Sequence, residues 1–183
     1  MKKFLSEWIV PATLAALVIV LLTVWSFPGL HPAVWTDTAI AAGLLPQKAL
    51  VPNLGISLFS VLFSLLPLDA ALTIMGGLAK VMVALFGVLA YQIFAGMMRL
   101  IAGTGNHDVI QRERIICVVA AIGAILFVAS DPIWILAQGL SESLCGVLLV
   151  LLAMAFSVRF LEKASATSAL VALAALGLLA AES

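Results

Sequence analysis

Charge is what this chain has least of. Lysine, arginine, aspartate and glutamate make up 10% of its 183 residues, against roughly 25% in an average soluble domain. The hydrophobic share is 64% and the mean hydropathy +1.26, more apolar surface than one small core can enclose. That excludes an ordinary soluble domain and makes the bilayer the expected surroundings. The formal net charge is zero, and no nucleic-acid partner is expected. Cysteine is scarce too. Cys117 and Cys145 lie in or beside apolar runs with no Cys or His at metal-ligand spacing, so both read as small buried hydrophobes. Gly103-Thr-Gly105 lacks the Gly-Lys-Ser/Thr ending of a phosphate loop. No serine stands in a nucleophile elbow, and His31 and His107 are expected on opposite sides of the membrane, which excludes a Ser-His-Asp set.

What is present is a series of long uncharged runs. After a basic start at Lys2 and Lys3, Ile9 to Phe27 offers 19 residues without a charge, enough for about 30 Å of hydrocarbon and longer than a signal-peptide core. Trp8 and Trp25 bracket it as interfacial aromatics do. Pro28, Gly29 and Pro32 then break the helix, and two short amphipathic runs, Ala39 to Leu45 and Ile56 to Leu66, read as interfacial helices. Asp69 to Arg99 is interrupted only by Lys80. As one helix it exceeds the bilayer, so the span is placed on 81–98 with the Asp69 end projecting. Leu100 to Arg114 reads as a polar loop, and Ser141-Glu142 reads as the cap of the fourth span. The expected architecture is an all-α polytopic transmembrane helix bundle, a single domain over 1–183. It has about five spans (9–27, 81–98, 115–130, 144–158 and 165–181) and an external loop over 28–69.

The charges that remain are unevenly placed. With the N-terminus cytoplasmic, seven of the nine basic residues (Lys2, Lys3, Arg99, Arg112, Arg114, Arg159, Lys163) fall inside. The positive-inside rule then orients the chain, with the C-terminus external and the inner membrane of a bacterial cell as location. The same map sends Asp37, Asp69, Asp131, Glu142 and Glu182 to the outer face. Any one of them is readily explained as an acid that nothing excludes from there. Asp37 and Asp131 stand out because each sits at a span end marked by Pro and Trp.

In layout, Trp35-Thr-Asp37-Thr-Ala-Ile-Ala-Ala-Gly-Leu-Leu-Pro46 followed by Ser130-Asp131-Pro132-Ile-Trp134 and Ser141-Glu142-Ser143 resembles the first and second external loops of the GT-C polytopic glycosyltransferases, the superfamily of the protein O-mannosyltransferases. The resemblance is architectural and loose over the whole chain. It departs from the family in having few spans and no Asp-x-Asp or Asp-Asp pair. The short chain is expected to be a fragment of a longer protein, or a relative keeping only the membrane-embedded half.

The resemblance implies transfer of a sugar from a polyprenyl-phosphate donor at the outer face. Such a reaction needs a carboxylate to take the acceptor's proton and a cation or metal for the leaving phosphate. Asp37 is the candidate base. Lys80, Trp35 and Trp134 are candidates for binding substrate, and Asp131 and Glu142 for holding a divalent metal such as magnesium or manganese. The plainer reading of Lys80 is an interfacial anchor. The competing class is a non-catalytic membrane scaffold or assembly subunit, with the rest of a longer chain or another subunit as partner. Transport is disfavoured because no span has a charge at its centre.

Overall fold

A computed structural model describes residues 9–24, 62–63, 65–102, 109–139 and 141–182. These residues are helical throughout, joined by short turns, and no strand occurs among them. Six helices follow in order: α1 (Val10–Val24), α2 (Leu68–Ala102), α3 (Val109–Val128), α4 (Asp131–Leu136), α5 (Glu142–Lys163) and α6 (Ala166–Glu182). Two segments, Asp69–Ala102 and Ser143–Lys163, are long and apolar enough to cross a membrane, and Val10–Val24 and Ala166–Ala180 are shorter apolar helices.

The axis of the bundle is α2, 35 residues and about 52 Å long. It packs against α1, α3 and α5, while α6 lies mainly on α5. Small residues set these approaches. A methyl group at Gly87 would stand 3.2 Å from both Leu14 Cδ2 and Val128 Cγ2, so α1 and α3 close on α2 at one level. A methyl at Gly123 would stand 3.1 Å from the Phe94 ring. At Gly96 it would overlap Val158 Cγ1 outright, which makes this the closest of the three crossings. Met75, Val83 and Phe86 of α2 are fully enclosed, together with Ile116 of α3 and Leu144 of α5. Ser168, Ala172 and Ala175 form the buried stripe by which α6 meets α5.

Chain ends are handled locally. Ser141, buried and extended, accepts a hydrogen bond from the Leu144 N–H at 3.2 Å and so caps α5, the role expected of it from sequence. At the other end of α5, Ala164 adopts φ 46°, ψ 37° and its N–H donates to the Phe160 carbonyl at 2.7 Å. This left-handed turn reverses the chain into α6 within two residues. Thr13 and Thr23 return their hydroxyls to carbonyls one turn earlier, leaving neither hydroxyl free on the apolar surface of α1.

Three boundaries differ from those read off the sequence. The polar loop is shorter than Leu100 to Arg114, because α2 runs on to Ala102 and α3 begins at Val109, so Arg112 and Arg114 are helical. Helix α5 extends past Val158 to Lys163. The segment Ser130 to Trp134, read as loop, opens a helix, since a proline in the first turn gives up only an N–H that has no helical partner there. Of the second interfacial run, residues 62–63 are helical and a turn follows at 65–66. The first run lies outside the described residues.

Candidate functional site

Helix register defines two ends of the bundle. At one, Arg99 of α2 meets Glu113 of α3 and Glu162 of α5. From Glu162 back to Glu142 is a climb of 20 residues along α5, roughly 30 Å. The same climb along α2 from Arg99 reaches Ala79 and Lys80. Because α5 runs parallel to α2, its capped start stands at the level of Lys80. Helix α3 runs the other way, from Glu113 beside Arg99 to Val128 beside Gly87, and delivers α4 to the same end. There α4 touches both α2 and α3.

This Lys80 end therefore gathers Lys80, Asp131 with the rest of α4, and Ser141 with the first residue of α5, Glu142. Lys80 is half-buried. Asp131 is exposed in the first turn of α4, preceded by Ser130, whose hydroxyl donates to the Phe127 carbonyl at 2.7 Å. Trp134 is half-buried and packs on the main core cluster, so much of the indole is committed to packing. Helix α2 continues outward beyond this level by a further dozen residues to Leu68, and Thr73 and Asp69 on that extension are exposed. Asp37 and Trp35 lie outside the described residues. Among the described residues no three His, Cys, Asp or Glu side chains form a group able to hold a metal ion.

The Arg99 end is the more fully built of the two, and its acids were not singled out by sequence. Arg99 Nε and Nη2 donate to Glu113 Oε1 and Oε2, both at 3.2 Å, a two-point fork. Arg99 Nη1 lies 3.8 Å from Glu162 Oε1. Arg112 Nη2 donates to the Arg99 carbonyl at 3.5 Å, near the C-terminus of α2, where a cation is favoured. Glu162 Oε1 and Arg112 Nε are enclosed without a hydrogen bond. The usable sequence signal was an acid one residue from each of two arginines, at Glu113 between Arg112 and Arg114. Nothing in the sequence pairs Glu162 with Arg99, 63 positions earlier.

Comparison with protein-family models, with curated proteins and with solved structures finds no match.

The fork makes a direct prediction. Arg99→Lys keeps the charge but cannot bridge both oxygens of Glu113. With the two side chains 32% and 42% exposed, solvent screening limits the loss to about 0.5–1 kcal/mol. A lowered unfolding midpoint in detergent, smaller at high salt, is the expected readout. An unchanged midpoint would deny the fork any share in stability.

Proposed function

We propose that the chain is the membrane-embedded portion of a GT-C-type glycosyltransferase that passes a sugar from a polyprenyl-phosphate donor to an acceptor at the outer membrane face. The observation that carries the reading is the common level of Lys80, α4 with Asp131, and the capped start of α5, at the end of the bundle opposite the Arg99 cluster. A cation at that end is what a lipid-borne phosphate calls for, and a carboxylate at the same level suits a cation that such a phosphate would share.

Membrane placement is supported by the exposed side chains. Val20, Val118, Ile122, Leu126, Leu170 and Leu173 are all more than half exposed and lie on helices whose opposite faces are buried. In water such a surface would be an aggregation hazard, and in lipid it is the normal lining. In the proposed orientation the Arg99 end is cytoplasmic and the Lys80 end external, with the bilayer on 81–98 of α2 and five spans in all.

In the reaction, the acceptor hydroxyl attacks the anomeric carbon as Asp37 removes its proton. The bond from that carbon to the phosphate oxygen breaks, and the polyprenyl phosphate leaves with the bonding pair. Lys80 offsets the charge that develops on that phosphate. Trp35 and Trp134 provide flat apolar surface for the sugar or the isoprenoid. A divalent cation, if the enzyme uses one, would draw on Asp131 and Glu142 together with residues outside the described set.

The rival scaffold reading draws on α6, whose Leu170, Leu173, Leu176 and Leu178 face away from α5 and offer a partner helix a continuous surface. Transfer from a panel of polyprenyl-phosphate sugars, assayed with the full-length protein in its membrane, separates the two. Product formation supports the transferase, and no product with any donor supports the scaffold.

A further inference from the structure

We propose that the Arg99 end carries a basic rim that holds anionic phospholipid headgroups, made of Arg114, Arg159 and Lys163. The proposal rests on the membrane placement above but not on the transferase chemistry. It begins from a charge balance. Arg99 and Arg112 stand against Glu113 and Glu162 in one cluster, and those four side chains sum to zero. At the same end, among the described residues, three cations are left over. Arg114 follows Glu113 directly, Arg159 precedes Glu162 by one helical turn, and Lys163 follows Glu162. Arg99 holds Glu113 and Glu162 against α2, so the three cations share one end of the bundle, Arg114 on α3 and Arg159 and Lys163 on α5. All three are exposed, and none has an ion pair among the described residues.

The surroundings decide what kind of anion fits. Ile115 and Val118 are exposed beside Arg114, and Phe160 and Leu161 beside Arg159 and Lys163. A soluble anion gains nothing from such neighbours. A phospholipid does, because its phosphodiester meets the guanidinium forks while its acyl chains cover the apolar side chains. A net negative headgroup answers the surplus of three positive charges among the described residues, which favours a phosphatidylglycerol-like lipid over a zwitterionic one.

The test is native mass spectrometry of the full chain released from micelles holding equal phosphatidylglycerol and phosphatidylcholine. Wild type is expected to retain phosphatidylglycerol preferentially. Each of Arg114→Gln, Arg159→Gln and Lys163→Gln should cut that preference about five-fold, and the three together about 100-fold. Thr73→Ala, exposed at the other end, should leave it intact. A triple variant with the wild-type preference, or a wild type with none, would overturn the site. Displacement of the lipid by inorganic phosphate would overturn it in favour of a soluble anion. Alkaline carbonate washing keeps the two layers of argument apart. A chain stripped from the membrane removes the placement and the site together, whereas a chain that stays and shows no preference removes the site alone.

Discussion

Asp37→Asn in the full-length protein is expected to lower sugar transfer about 100- to 10,000-fold at matched membrane level, the range lost with a well-placed general base. The substitution keeps the shape of the side chain and removes its capacity to hold the acceptor's proton. Proton removal is needed as the hydroxyl attacks, so the loss should fall on kcat with little change in the KM for the donor. A factor of 100 to 10,000 corresponds to about 3–5.5 kcal/mol of transition-state stabilisation. A packing role predicts no such split, since an aspartate-to-asparagine change away from special contacts alters stability by only about 0.5 kcal/mol or less. Equal transfer by wild type and Asp37→Asn would remove this residue from the mechanism while leaving the fold untouched.

Gly96→Ala is expected to destabilise the bundle by about 1–3 kcal/mol, the cost of forcing a methyl group into a filled contact. The new carbon would overlap Val158 Cγ1, and a β-branched side chain on a helix has essentially one rotamer, so it cannot swing aside. Helices α2 and α5 would have to separate close to the Arg99 cluster, lengthening the 3.8 Å approach of Arg99 to Glu162. The same logic predicts rescue. Val158→Ala removes the obstructing methyl groups, and the Gly96→Ala, Val158→Ala pair should recover most of the loss in a double-mutant cycle on unfolding in detergent. Additive losses would mean that Gly96 and Val158 do not meet and that the register of α2 on α5 is different.

That register is the aspect of the structure that sequence did not carry. The helices themselves were legible, because an uncharged run such as Ile9 to Phe27 or Leu144 to Val158 allows little else in a chain with 10% charge. The excess length of Asp69 to Arg99 was legible for the same reason, and α2 is indeed one unbroken helix. Ser141 was legible as a cap because its hydroxyl has a defined task three residues ahead. Charged residues misled where they were taken as marks of a loop. Arg112 and Arg114 continue a helix, since Glu113 between them turns to Arg99 and Arg112 donates to the Arg99 carbonyl. Asp131-Pro132 misled likewise, a helix start having the same composition as a turn. The contact of Arg99 with Glu162 depends on α5 lying parallel to α2, a tertiary fact that no local pattern encodes. Of the candidate site, the level shared by Lys80 and the start of α5 follows from helix lengths once that packing is given, while Asp37 and Trp35 lie outside the described residues.

The central claim is that the Lys80 end and the Arg99 end face opposite sides of a bilayer, with the reacting side external. Cysteine labelling tests it most directly, in a chain whose native thiols have been removed by Cys117→Ala and Cys145→Ala. Thr73→Cys places an exposed thiol on the projecting end of α2, and Ala166→Cys places one at the α5–α6 turn beside the Arg99 end. With a membrane-impermeant maleimide on intact cells, Thr73→Cys should label at once and Ala166→Cys only after permeabilisation. Labelling of both thiols from the same side of the intact membrane would contradict the account.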